Sequence, residues 1–427
     1  MKVSPARLAA FNVLLRIETE RSFSSVLLPA YEARLSAADR ALCHELVLGT
    51  LRRQMYLDRV IDLCANGKKI DDPVRIALRL GAYQLRFLDK IPEYSAVDES
   101  VNLAQIAKRT SAKGFVNAIL RRVAREKPQL KFEDDIERLS VETSHPIWLI
   151  ERWKEQFGIT ETELTTTANN EPGGHAFRLL TGSAPNTFHA RMSDLVNGCY
   201  LTDRIDSAMM AAAERRKIYF QDEGSQMIGS SICVPDGGKF LDVCAAPGGK
   251  TGLIVSRNRP SIKTAVAGDL YWQRVTTLRE NCAHQGVSDI HIVQYDAERA
   301  LPFAENSFDV VFVDAPCSGT GTIRHNPELR YFLEPNDIRE LADKQLRILR
   351  NASKLVAQSG TLIYSTCSLE KEENERVGRS FLVESDGFEL IRPNVADRFV
   401  TSEGFARTFP HRDGMDGFFV AEFQKIG

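Results

Sequence analysis

The 427-residue chain is 43% hydrophobic and 26% charged, the composition of an ordinary soluble globular protein of about three domains. No apolar run reaches the ~18–20 residues of a membrane-spanning helix. The first residues, interrupted by Arg7 and Arg16, lack the apolar core of a secretory signal, so a cytoplasmic location with no membrane partner is expected.

The net charge of −2 is unevenly placed. Residues 1–130 carry 22 Lys+Arg against 14 Asp+Glu, a net of +8, and seven of those bases lie between Lys108 and Lys127 beside one acid, Glu126. Such an asymmetry points to nucleic acid, since phosphate contacts supply much of the affinity. A solvated helix face is an equal reading of the same residues. The eight cysteines are scattered, without a C-x-x-C pair or histidines at zinc spacing, so neither a disulfide framework nor a metal is expected.

Residues 1–130 read as helices throughout. Leu8, Phe11 and Leu15 recur at helical spacing, as do Ile76, Leu80, Tyr83 and Phe87. Asp72-Pro73 predicts a capped start with an early proline, and Ser95-x-x-Asp98 a start resembling a capping box. No strand alternation intervenes, so an all-α domain is expected. Residues 131–220 form a connecting region punctuated by Gly173-Gly174 and Pro185-Asn186, both turn signals. From 239 to the end, apolar runs at 239–244, 264–269, 290–295, 308–314 and 360–366 alternate with helical stretches. Residues 221–427 are thus expected to form a mostly parallel α/β domain. Two late runs, 388–391 and 417–421, have no long helix between them and suit an antiparallel edge hairpin.

The α/β part is organised around Asp242-Val243-Cys244-Ala245-Ala246-Pro247-Gly248-Gly249-Lys250-Thr251. A strand, a tight small-residue loop and a helix follow one another, which in an open α/β sheet is where a ligand sits. The phosphate-cradling pattern fails because Cys244 stands at its first glycine, and the dinucleotide fingerprint fails because Ala246 stands at one of its glycines. What remains is a loop able to hold a nucleoside without a diphosphate, such as S-adenosylmethionine; a plain αβ corner is the alternative. Asp269 follows Gly248 by 21 positions, near the offset at which a carboxylate meets a ribose diol. Asp296, at the next strand end, has adenine binding and helix capping as equal readings.

The fourth strand ends Asp314-Ala315-Pro316-Cys317-Ser318-Gly319, and the fifth Ser365-Thr366-Cys367-Ser368. An Asp-Ala-Pro-Cys in place of Asn/Asp-Pro-Pro-aromatic argues for a carbon acceptor and a thiol. A thiolate added at carbon 6 of cytosine makes carbon 5 nucleophilic. Asp314, as an acid near ring nitrogen 3, would stabilise the adduct, and Lys250 would raise the thiolate fraction of a neighbouring cysteine. Spacing does not decide which cysteine attacks.

Two resemblances cover the chain. The ordered set Leu42-x-x-Glu45-Leu46-Val47-x-Gly49-x-Leu51-Arg52, Ile91-Pro92-Glu93-Tyr94-Ser95-Ala96-Val97-Asp98-Glu99 and Lys113-Gly114-Phe115-Val116-Asn117-Ala118-Ile119-Leu120-Arg121 resembles the RNA-binding domain of NusB. The three motifs around Cys244, Cys317 and Cys367 resemble the RNA cytosine-5 methyltransferases, and with the helical domain the chain resembles the bacterial RsmB (Sun/Fmu) family. The resemblance implies a NusB-like all-α domain at 1–130, a small α+β subdomain within 131–220 that helps form the RNA channel, and a Rossmann-like catalytic domain with a seven-stranded sheet at 221–427. It implies a monomer acting on 16S rRNA, naked or in an assembling small subunit, with S-adenosylmethionine held by residues 244–250, Asp269, Asp296 and Asp314. It makes Cys367 the nucleophile and Cys317 the group that helps release product, with Asp314 and Lys250 beside them; Cys317 as nucleophile, as in DNA cytosine-5 enzymes, is the runner-up. Arg324-His325-Asn326-Pro327 departs from the family pattern, in which a second arginine and then a histidine usually precede the proline. A non-catalytic RNA-binding or antitermination factor with a degenerate methyltransferase domain is the rival reading.

Overall fold

The computed structural model describes residues 3–182, 184 and 188–426. The expected turn at Pro185-Asn186 lies outside the described residues. Two compact units emerge: residues 1–171 with 323–333, and residues 172–322 with 334–427.

The first unit is helical. Among the described residues, ten α-helices before the break run from Pro5–Glu20 to Ile159–Ala168. Their apolar faces share one core, in which Leu46, Leu57, Val60, Leu80 and Leu120 are fully buried. Burial of such stripes, more than propensity, holds short helices together. Two predicted starts are corrected. The helix Asp72–Phe87 has Asp71 at its N-cap and Pro73 within its first turn. The helix expected from Ser95 begins two residues earlier, at Glu93 after Pro92. Pro92 fixes an extended φ suited to the entry, and Ser95 and Asp98 become interior residues whose side chains meet Glu99 (3.3 Å) and Asn102 (3.2 Å).

The 323–333 segment is also part of this unit. Its Arg330 is wholly buried and donates to the carbonyls of Thr143 (3.0 Å) and Asn169 (3.3 Å) and to Oδ1 of Asn170 (2.9 Å). With no carboxylate among these partners, burial draws its pKa down to about 10.

The second unit opens with a small antiparallel sheet of β1 (His175–Leu179), β2 (Arg191–Met192), β3 (Cys199–Thr202) and β4 (Ile218–Phe220), in the order β2-β3-β1-β4. The main sheet contains β5 (Gly238–Asp242), β6 (Ile262–Asp269), β7 (His291–Gln294), β8 (Phe308–Asp314), β9 (Val356–Thr366), β10 (Phe388–Ile391) and β12 (Phe419–Lys425). A two-residue β11 (Ala406–Arg407) pairs with β12. The order is β10-β12-β9-β8-β5-β6-β7. Strands β5 to β9 are parallel, and β12 runs antiparallel between β9 and β10. This is the Rossmann-like, mostly parallel sheet with an antiparallel edge that the apolar runs predict. Phe240, Leu241, Val311 and Phe312 are fully buried, as expected of strands covered on both faces. The order reverses at β5 and β8, so the carboxyl ends of these neighbours frame a crevice. Among the described residues no helix is long and apolar enough to cross a membrane.

Candidate active site

The loop after β5 is shaped by backbone geometry. Gly248 has φ +102°, and a Cβ there would come within 2.9 Å of Leu278, so only glycine is free of strain. The helix Gly249–Arg257 starts at once. The outgoing carbonyls are held from outside: Asn281 Nδ2 donates to the carbonyl of Pro247 (2.8 Å) and Gln285 Nε2 to that of Gly248 (3.0 Å).

Underneath, Asp242 is 1% exposed and accepts from Thr251 Oγ1 at 2.7 Å. Burial, only partly offset by that bond, pushes its pKa up to about 7. A raised carboxyl pKa means that the folded state holds its proton longer than the unfolded chain. Stability therefore falls as pH rises from the ordinary carboxylate range toward 7. Relative to wild type, Asp242→Asn is expected to gain about 3 kcal/mol between pH 5 and pH 8. Thermal melts at the two values check this; a pH-independent difference contradicts it.

A cavity of about 360 Å³ opens beside the loop, within the usual range for small-molecule sites. Its wall includes Cys244, Ala246, Asp269, Tyr271, Asp296, Asp314, Cys317 and Cys367. Of the expected loop contacts, Cys244 and Ala246 are on that wall. Ala245, Pro247, Gly248, Gly249 and Lys250 are not; Lys250 reaches it through Asp314.

Asp269, at the end of β6, accepts from the backbone N–H of Ala246 (3.1 Å) and Leu270 (2.9 Å) and from Arg274 Nε (2.9 Å). It caps no helix, because the following one starts from Tyr271 without a side-chain cap. Asp296 accepts from the N–H of Glu298 (3.0 Å) in a turn, and Arg299 pairs with it. No helix follows it before residue 320. Arg274, which braces Asp269 and donates to the carbonyl of Ala246 (2.9 Å), was not legible in advance; its position five residues after Asp269 is the one available signal. A cavity of this size, with a bare main-chain bend on one side and carboxylates on two adjacent strand ends, fits a nucleoside with a charged tail.

At the other end of the cavity, β8 and β9 deliver two thiols side by side. Cys317 Sγ lies 3.3 Å from Cys367 Sγ. The Lys250 ammonium donates to Asp314 at 2.8 Å and lies 5.0 Å from the Phe418 ring centre, and Ser365 Oγ donates to the other carboxylate oxygen at 2.7 Å. Burial lowers the Lys250 pKa, but the charge and hydrogen bond of Asp314 outweigh it, and the net direction is upward. The hydrogen bond with Cys367, together with burial, pushes Cys317 well above the usual thiol range. Burial likewise raises Cys244, which lines the cavity wall.

Residues 233–424 match the family described as 16S rRNA methyltransferase RsmB/F, and residues 4–125 match the NusB family. Over 100% of both chains the sequence is 33% identical to the probable ribosomal RNA small subunit methyltransferase B of Bacillus subtilis. The chain belongs to the RsmB/F methyltransferase family. Its N-terminal domain is of the NusB type. The ribosomal RNA small subunit methyltransferase B of Vibrio vulnificus is 29% identical over 98% of this chain and 99% of its own. The crystal structure of PH0851 superposes with a TM-score of 0.84 at 25% identity, covering 100% of both chains. That of NSun6 from Pyrococcus horikoshii with SFG gives a TM-score of 0.57 at 19% identity, over 66% of this chain and 98% of its own. The RsmB-family resemblance seen in the motifs thus holds for the whole length.

Proposed function

We propose that this protein methylates carbon 5 of a cytosine in 16S rRNA, with S-adenosylmethionine as donor and a transient bond from Cys367 to carbon 6 of the base. The observation that carries the reading is the pair of thiols 3.3 Å apart on the wall of the nucleoside-sized cavity, beside the Lys250–Asp314 pair. Asp269 and Asp296 would hold the ribose and adenine, with the main chain at Cys244 and Ala246 against them. When bound, the cofactor supplies an electrophilic methyl group on a sulfonium.

The chain's own residues do the rest. The Cys367 thiolate adds to carbon 6 and turns carbon 5 into an enamine carbon. The Lys250–Asp314 ion pair stabilises charge developing toward ring nitrogen 3. After methylation the carbon-5 proton passes to solvent water, the electrons of that C–H bond re-form the ring double bond, and the Cys367–carbon 6 bond breaks to expel Cys367 as thiolate, with Cys317 beside the departing sulfur. Residues 221–427, apart from the 323–333 segment that belongs to the helical unit, act as the catalytic domain, with 131–220 as the connecting region. The NusB-like domain at 1–130 grips RNA phosphates with the exposed Lys108, Arg109, Lys113, Arg121, Arg125 and Lys127. The protein works as a cytoplasmic monomer.

Labelled methyl transfer to unmethylated 16S rRNA tests the reading. Incorporation is expected; none at saturating cofactor and RNA, with RNA still bound, favours the non-catalytic binding factor instead.

Asp269→Ala is expected to weaken cofactor binding about tenfold to a hundredfold, the loss of a charge-assisted hydrogen bond in a buried site. Calorimetric titration with S-adenosylmethionine measures it, and unchanged affinity would reduce Asp269 to a brace for the 244–248 loop.

A further inference from the structure

Beyond the cavity, a carboxylate that touches neither thiol ties together the two loops that carry them. Glu373 is fully buried, as are Ser368 and Gln345, with Ser318 nearly so. Its Oε1 accepts from the backbone N–H of Ser318 (2.8 Å), the residue after Cys317, and from Gln345 Nε2 (2.8 Å). Its Oε2 accepts from the hydroxyls of Ser318 and of Ser368, the residue after Cys367, the latter at 2.5 Å. The two hydroxyl oxygens are themselves 3.0 Å apart. Gln345 Nε2 also donates to the carbonyl of Pro316 (3.0 Å). The next residue, Asn374, accepts from Thr366 Oγ1 (2.6 Å) and donates to the carbonyl of Ser368 (2.8 Å). Each thiol therefore sits on a loop whose following residue is fastened to the same carboxyl group.

We propose that Glu373 is a positioning residue that sets the spacing of the Cys317 and Cys367 thiols, and through it the rate of the methyl transfer. A bare structural need would not require one acid to bridge these two loops; a hydrophobic contact of equal volume would avoid burying the carboxyl. Burial is the main force raising the Glu373 pKa, against the hydrogen bonds that lower it. Its charge acts on Cys317 in the same upward sense as the neighbouring thiol.

The inference rests on the two-thiol reading of the site, but one of its tests does not use RNA. Dilute hydrogen peroxide takes two electrons and two protons from a pair of adjacent thiols, forming a disulfide and water. The 317–367 linkage is then counted by peptide mass in the full-length protein. In Glu373→Ala the linkage is expected to form at least tenfold more slowly, and kcat for methyl transfer to fall about a hundredfold, the scale of a 1 Å misplacement. RNA KM and S-adenosylmethionine affinity stay within threefold. Glu373→Gln keeps an oxygen for the Ser318 N–H and turns an amide toward the two hydroxyls, so it is expected to recover both rates to within about fivefold. Should the alanine protein not fold, Ser318→Ala removes a single hydroxyl from the clamp, and the same two rates are expected to fall about threefold to tenfold.

Wild-type linkage rate and kcat in these variants overturn the proposal, as does a Glu373→Gln protein no better than Glu373→Ala. A slowed linkage with unchanged kcat overturns only the catalytic half, and points away from the two-thiol mechanism rather than from the clamp.

Discussion

Cys367→Ala abolishes the covalent RNA–protein adduct, whereas Cys317→Ala lets that adduct accumulate: this is the largest expected effect. The two thiols lie 3.3 Å apart on one cavity wall. The resemblance to the RNA cytosine-5 methyltransferases assigns attack to Cys367 and product release to Cys317, and on that reading the Cys367 thiolate is the nucleophile. Removing Cys367 therefore removes the bond to carbon 6, with kcat falling at least about 10⁴-fold, as when a covalent catalyst loses its nucleophile. Removing Cys317 leaves attack intact and slows the breakdown of the adduct. Denaturing gels of protein incubated with cofactor and unmethylated 16S rRNA read both outcomes. Adducts persisting in Cys367→Ala and absent in Cys317→Ala would exchange the two roles.

The second large effect concerns Lys250. Its ammonium lies over the Phe418 ring and is fastened to Asp314, whose other oxygen accepts from Ser365. Lys250→Met keeps the length of the side chain and the contact with Phe418 while removing the ammonium that faces Asp314. Charge building on the cytosine ring then develops beside Asp314 without the neighbouring positive charge. A fall of about 10²–10⁴-fold in kcat is expected, the usual scale for losing a positioned proton donor. S-adenosylmethionine affinity changes little, because Lys250 is not on the cavity wall. Single-turnover rates and cofactor titration separate the two quantities. Adduct formation at the wild-type rate would exclude Lys250 from the chemical step.

Most of the catalytic sheet was legible because parallel strands buried on both faces read as short apolar runs, as at 308–314. The fifth strand starts at Val356, four residues before its expected start. The exposed Ser359, with φ +61°, and Gly360 interrupt the apolar run without ending the strand. The helix start at Glu93 was missed because Ser95-x-x-Asp98 mimics a cap while Pro92 supplies the turn.

Nothing in helical periodicity tells which unit a segment joins. Residues 323–333, between the two cysteine motifs in sequence, pack with the helical unit through Arg330. At the site, thiols at strand ends announce themselves through their motifs. Arg274, Gln345 and Glu373 act by meeting main chain and hydroxyls that the fold brings near, and single letters carry no trace of that.

On the proposed reading a methyl group is placed on carbon 5 of cytosine. Bisulfite mapping of unmethylated 16S rRNA, incubated with S-adenosylmethionine in the presence and absence of the full-length protein, tests it most directly. One or a few cytosines that become resistant to conversion only with the protein present are expected. Methyl incorporation with every cytosine still convertible would contradict the account, since the methyl group would then reside on another atom.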